Sequence, residues 1–212
     1  MHEEPTQTIQ GDGGSREIAP GLDLKPLGTI RLSAAHNVSD FTSKSERIQR
    51  FIRSEAQTYT GQRYCSVNVW PDPADPSKIL GFYSLASCSI ERGELNNRFQ
   101  RKAIGGIPVP MALIGFMGKA ATAPKGFGAV LIHDAALRAS RSEDLPVWGL
   151  ALHPENERLA KYYDDLSFTR GMVWTRDNSK RLLMYAPLST LLPKPDAVTA
   201  QSPTTSISAQ RL

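Results

Sequence analysis

The sequence predicts an α/β fold, and three observations predict it. Met111 to Ala136 passes from an apolar run, Met111 to Met117, through a small-residue turn with Pro124, Gly126 and Gly128, into helical apolar spacing at Phe127, Val130, Leu131 and Ala135. A second buried strand, Val147 to Leu152, is followed by another helical pattern through Leu159, Tyr162, Tyr163 and Leu166. Ahead of both, Tyr64 to Trp70 and Ile79 to Ser87 are β-rich runs separated by Pro71-Asp72-Pro73-Ala74-Asp75-Pro76. Prolines lack the donor a ladder needs, so they end both runs and leave a hairpin with a long loop.

With 212 residues the chain suffices for one well-buried domain plus tails. Residues 1–26 are glycine-rich and polar, and such a segment buries too little apolar surface to offset the entropy of ordering. We expect a flexible tail there, a single domain over 27–190, and a disordered tail over 191–212, where Ser, Thr, Pro and Gln dominate. The formal charge of +4 favours anionic partners without choosing among them. Cys65 and Cys88 each lie in a β-rich run without a metal-spaced neighbour, which reads as two buried free thiols. No signal segment and no run near the roughly 18 apolar residues of a membrane span is evident, so a cytoplasmic location is expected.

In chain order, Leu27 to Leu32 reads as a short first strand. A helix follows from a serine-rich start at Ser43 and Ser45, with Ile48, Phe51, Ile52 and Ala56 on one face and Lys44, Arg47, Arg50 and Arg53 on the other. The hairpin comes next. From Arg92 to Lys125 there are six basic residues and one acidic residue, the most asymmetric charge region in the chain. Pro108 and Pro110 predict an irregular or bulged entry to the central strand. The helix after the glycine turn should end near Ser140. Met172 to Thr175 and Leu182 to Ala186 read as two last strands.

The glycine turn has a direct chemical meaning. Glycines at 126 and 128 let a ligand approach the backbone, and the free amides and positive end of the next helix suit a diphosphate. His133 and Asp134 are adjacent on a helix and point about 100° apart, so we expect structural or exposed roles for them. His36 and His153 fall at strand ends and are read as structural.

The glycine loop, followed about thirty residues later by an Asn156-x(6)-Tyr163-x(4)-Phe168 helix, resembles the GNAT superfamily of acyl-CoA-dependent N-acyltransferases. Asn37 to Phe41, Gly81 to Ala86 and Ile107 to Pro110 make the chain look most like the toxin branch, which acetylates the α-amine of aminoacyl-tRNA. The resemblance covers roughly residues 30–190. It implies a mixed, mostly antiparallel twisted sheet flanked by helices, with splayed central parallel strands, and acetyl-CoA as cosubstrate with no metal.

Carried onto this chain, it implies that Lys125, Gly126, Phe127, Gly128 and Ala129 hold the diphosphate. Phe116, Met117 and Gly118 would pair with the pantetheine arm, Asn156 would touch it, and Tyr163 would give a proton to the leaving thiolate. The basic segment Ser87 to Ile107, with Arg98, Arg101 and Lys102, would meet tRNA. An antitoxin and a second copy of the chain are the protein partners it implies. Two positions depart from the family pattern: Ala123 stands where Gln or Arg is usual, and Ser167 stands where Gly precedes Phe168. They leave room for two other readings: an acetyltransferase for a small amine or protein amino group, and an acyl-CoA-binding protein without catalysis.

Overall fold

The computed structural model describes residues 28–176 and 179–192. The expected tails, apart from Leu191 and Leu192, and the tip of the last turn lie outside them. One seven-stranded sheet forms the centre: β1 (Ile30–Arg31), β2 (Ser66–Pro71), β3 (Ile79–Ile90), β4 (Val109–Lys119), β5 (Gly149–Leu152), β6 (Thr169–Arg176) and β7 (Ser179–Pro187). Their order is β1-β2-β3-β4-β5-β7-β6, and every neighbouring pair is antiparallel except β4 with β5. This is the mixed, mostly antiparallel sheet that was expected.

Helices cover both faces, and side-chain alternation along β3 tells which covers which. A Cβ on Gly81 would meet Phe127 and Leu131 of α4 (Phe127–Ser140), and Tyr83 bonds to Asp134 of the same helix. Phe82, one position along, stacks with Phe51 on the other face. Phe51 begins a π-helical turn (Phe51–Glu55) that joins α1 (Glu46–Arg50) to α2 (Ala56–Gly61). Ser45 caps α1, its hydroxyl accepting from the Ile48 amide, as the serine-rich start predicts. On this second face Cys88 and Ile90 join Val109, Met111 and Tyr185 in a smaller core closed by Phe99 of α3 (Asn97–Gln100). The glycine-loop helix therefore stands on one face, and α1, α2 and α3 on the other.

Two expectations change here. β3 runs to Ile90 rather than Ser87, and the segment after it is not a plain loop, since it carries a 3₁₀ turn (Arg92–Glu94) and α3. The apolar positions Ile90, Leu95 and Phe99 account for this, because each packs into the smaller core. Nor is the entry to β4 bulged at its prolines. Pairing is regular from Ile90 opposite Val109 to Leu85 opposite Ile114, and the irregularity falls between Tyr83 and Leu85. Pro110 is tolerated because its carbonyl faces β5 and accepts from the Trp148 amide. The missing N–H faces the same way, so no bond to β3 is lost.

A polar cluster pins Thr29, just ahead of β1, to α4. Tyr83 and Thr29 both hydrogen-bond the Asp134 carboxylate, and Arg138 donates to the Tyr83 hydroxyl and the Thr29 carbonyl. Asp134 is thus structural, as expected, and His133 beside it is exposed.

Candidate active site

β4 and β5 pair only from Met111 opposite Gly149 to Ile114 opposite Leu152. β5 stops there, while β4 continues to Lys119 alongside β3. The edge of β4 over Gly115 to Lys119 that faces away from β3 therefore lacks a strand partner. This is the splay expected of the central parallel strands, and it offers an extended backbone to an extended ligand. At its start the ladder bulges, and the Phe116 amide turns toward β3 and donates to the Ser84 hydroxyl at 2.9 Å. Of the three predicted pantetheine contacts, Phe116 thus has its amide committed, and Gly118, opposite Phe82 and two positions before Ala120, whose amide donates to Leu80, also turns its backbone to β3; Met117 turns its own outward, with Lys119 beyond it.

At the far end of β4 the chain turns through 120–126 into α4. Gly126 has φ of +84°, and a Cβ there would meet nothing within 4 Å, so the backbone faces open space. Within the predicted cradle, the Phe127 amide donates to Pro124 and the Ala129 amide to Gly126. Among the described residues the amides of Lys125, Gly126 and Gly128 have no acceptor, and they sit at the positive end of a fourteen-residue helix. Ala123, the first departure from the family pattern, is buried, and its carbonyl accepts from Lys119 Nζ at 2.9 Å. A cation therefore stands beside the loop from another position.

α5 (Glu157–Asp165) carries the remaining predicted residues. Asn156 is its N-cap, with the side-chain oxygen accepting from the Leu159 amide. Only the Asn156 amide nitrogen remains to reach a ligand. Tyr163 is 8% exposed, its ring edge-on to Tyr162 and tilted against Phe168. Its hydroxyl has no hydrogen-bond partner among the described residues. Burial pushes the phenol well above its ordinary range, and Tyr162 and the Glu155 carboxylate add in the same direction. The group is a neutral proton donor at physiological pH.

The helix ends in a Schellman motif. The Phe168 amide donates to the Tyr163 carbonyl and the Ser167 amide to the Asp164 carbonyl, with Ser167 at φ of +68°. The second departure from the family pattern thus lies at a left-handed position, where glycine costs nothing and serine is strained.

An ion pair joins the two faces beside the splay. Arg47 of α1 lies 3.5 Å from Glu155, just before α5, and its guanidinium stands 5.3 Å from the centre of the Phe116 ring. Phe116 in turn stacks on Phe51 at 3.7 Å.

The basic residues Arg98, Arg101 and Lys102 are exposed on the α1–α3 face. Arg98 and Lys102 line a groove of about 410 Å³ with Phe99, Trp148, Thr169 and Ser189. Trp148 and Pro187 place that groove at the end of β5 opposite the splay. His36 is buried and bonded to Ser33, and exposed His153 meets the Leu182 carbonyl, both structural as read. Both cysteines are free and half-buried, with burial raising the Cys88 thiol to about 11. Among the described residues no group of three or more His, Cys, Asp or Glu gathers as a metal site, and no helix is long and apolar enough to cross a membrane.

Sequence reasoning missed Ser84, Tyr162, Lys119 and the Arg47–Glu155 pair. A buried serine in an apolar strand was a signal for the first. The others depend on contacts between distant elements, which no spacing encodes.

The parted parallel strands backed by a glycine-loop helix define the class of fold, the one the superfamily resemblance implies. No protein-family model matches the chain. Solved structures with this fold include AtaT complexed with acetyl-methionyl-tRNAfMet, at 19% identity and TM-score 0.63 over 73% of this chain and 89% of that one. A tyrosine-to-phenylalanine variant of KacT aligns at 19% identity and TM-score 0.63, over 77% of this chain and 95% of its own. A similar variant of the AtaT toxin, bound to the C-terminus of the antitoxin AtaR and acetyl-CoA, aligns at 17% and 0.59 over 77% and 94%. At these identities the likeness is one of fold.

Proposed function

We propose that the chain is an acetyl-CoA-dependent N-acetyltransferase that acts on the α-amine of aminoacyl-tRNA, a cytoplasmic toxin restrained by an antitoxin protein. The observation that carries this reading is the unpartnered edge of β4, flanked by three free loop amides and by the buried neutral phenol of Tyr163. AtaT, which shares the fold, has been solved with acetyl-CoA and with acetyl-methionyl-tRNAfMet, and this similarity favours the same cosubstrate and acceptor class.

The residues present fit acetyl-CoA. Lys125, Gly126 and Gly128 offer amides to a diphosphate at a loop that is open at Gly126 and has the Tyr162 hydroxyl beside Gly128, and Lys119 adds a charge beside it. Met117, with Lys119 two positions on, offers strand backbone to the amides of a pantetheine arm, and Asn156 offers its amide nitrogen. When bound, acetyl-CoA supplies an activated acetyl group whose thiol leaves readily, so direct attack by an uncharged amine suffices. Tyr163 would give its hydroxyl proton to the departing sulfur and regain one from the attacking nitrogen, which sheds a proton as the amide forms. A backbone amide of the open β4 edge polarises the acetyl oxygen.

Arg98, Arg101 and Lys102 hold phosphates of the tRNA body. Changing all three to Ala should cut acetylation of charged tRNA and flatten its salt dependence, while acetyl-CoA binding measured by calorimetry stays intact. Acetylation at the wild-type rate in physiological salt would remove this groove from the reading.

A further inference from the structure

Gly128 is the second residue of α4, and its backbone is helical rather than left-handed, so conformation does not require a glycine there. In a helix, glycine loses more backbone freedom on folding than alanine does. What the missing side chain makes room for is Tyr162. A Cβ on Gly128 would stand 2.6 Å from the Tyr162 hydroxyl, and the three nearest atoms all belong to that residue.

Tyr162 and Tyr163 are adjacent on α5, where neighbouring side chains leave the helix about 100° apart. Their rings meet edge-on at 5.4 Å, and then they part: Tyr163 packs against Phe168, while Tyr162 reaches the glycine loop. The Tyr162 side chain is half-buried. Its hydroxyl has no hydrogen-bond partner among the described residues, and it is not sealed from solvent. Burial raises the phenol above its ordinary range, so it keeps its proton at physiological pH. The Gly128 amide beside it also lacks an acceptor among the described residues. Two donors thus stand together at the positive end of α4, and a group that receives both carries several oxygens and negative charge. Packing alone would use the ring and leave both the hydroxyl and the glycine that admits it without a role.

We propose that the Tyr162 hydroxyl is a cosubstrate ligand, donating to the diphosphate of acetyl-CoA next to the Gly128 amide. This deepens the proposed function and rests on it for the identity of the cosubstrate. It brings from α5 a side-chain donor that Ala123, standing where Gln or Arg is usual, does not supply. The adjacent tyrosines then have separate tasks, Tyr162 in holding the cosubstrate and Tyr163 in protonating its sulfur.

The test measures acetyl-CoA affinity by calorimetry, Tm, and the kinetics of transfer to charged tRNA for wild type, Tyr162→Phe and Tyr163→Phe. Tyr162→Phe should bind acetyl-CoA about ten- to a hundredfold more weakly, the loss of one hydrogen bond to a charged group. Its Tm should stay within about 2 °C of wild type, because the ring keeps its packing. Its KM for acetyl-CoA should rise by a similar factor while kcat holds, the reverse of Tyr163→Phe. Wild-type affinity in Tyr162→Phe would overturn the inference and leave the proposed function standing. An equal loss with S-acetylpantetheine, which has the arm without the diphosphate, or a loss accompanied by a fall in Tm beyond about 5 °C would also overturn it. Weakened acetyl-CoA binding by a stable Tyr162→Phe, in a protein that transfers no acetyl to charged tRNA, would uphold the inference and overturn the proposed reaction instead. No acetyl-CoA binding by wild type would overturn both.

Discussion

Tyr163 and Phe168 are joined twice: the Phe168 amide donates to the Tyr163 carbonyl at 3.0 Å, and the two rings meet with centroids 5.6 Å apart. The Schellman motif thus fixes the last turn of α5 and the phenol on it. The residue between, Ser167, bears the left-handed conformation that the turn requires. Glycine adopts it freely, so Ser167→Gly should stabilise the protein by up to about 1 kcal/mol, or roughly 2–4 °C in Tm, without reducing turnover. Thermal unfolding checks this, and a lower Tm would mean that the serine side chain does more than tolerate the turn.

The approach of α5 to the glycine loop gives a paired prediction. A Cβ on Gly128 would lie 2.6 Å from the Tyr162 hydroxyl, and the next atom is 3.5 Å away. The hydroxyl is the far end of a half-buried side chain, so Gly128→Ala should cost less than about 1 kcal/mol as the Tyr162 ring moves aside, and weaken acetyl-CoA binding as the loop adjusts. Tyr162→Phe removes the obstructing atom. The double variant should regain most of the lost Tm, and a double variant no better than Gly128→Ala would place the strain elsewhere.

Ser84→Ala should leave the Phe116 amide at the β4 bulge without its acceptor. The cost of a buried unpaired amide is about 1–3 kcal/mol, readable in denaturant unfolding. The bulge also aims the open edge, so acetyl-CoA affinity should fall with stability. A variant with wild-type stability would show that the bulge is held by the ladder alone.

The pH dependence follows from the sign of the Tyr163 shift. Its pKa is raised, so the proton stays on through the range where a free phenol, near 10, begins to lose it. Turnover should rise with pH as the acceptor amine loses its own proton, and should show no fall assignable to Tyr163 below about pH 10. The same sign governs stability: for Tyr163, and for Tyr83, which burial and Asp134 also raise, the contribution is complete below about pH 10 and is lost as pH climbs through the folded values. An alkaline limb in the kcat profile centred near pH 8 that disappears in Tyr163→Phe would contradict this account.

The hairpin, the glycine loop, α4 and the cap of α1 were legible in the sequence because each depends on neighbours within a few residues. Prolines mark the hairpin loop, glycines the cradle, serine the cap. The site was legible in part, since Asn156, Tyr163 and Gly126 sit on elements whose pattern announces them. What sequence hid was set by distant contacts. The β4 bulge needs Ser84 from another strand, and α3 exists because Leu95 and Phe99 find Tyr185 and Trp148 across the sheet. The role of Asn156 was also only half visible, as its oxygen caps α5 before any ligand is considered.

The most direct measurement is transfer of label from radiolabelled acetyl-CoA to total tRNA, charged and uncharged, by wild type and by Tyr163→Phe. Label is expected on charged tRNA alone, located on the amino acid's α-amine. Tyr163→Phe should transfer roughly 10²- to 10⁴-fold more slowly at nearly unchanged acetyl-CoA affinity. Equal labelling of charged and uncharged tRNA, no labelling of either by a wild type that binds acetyl-CoA, or an undiminished rate in Tyr163→Phe would contradict the proposed function.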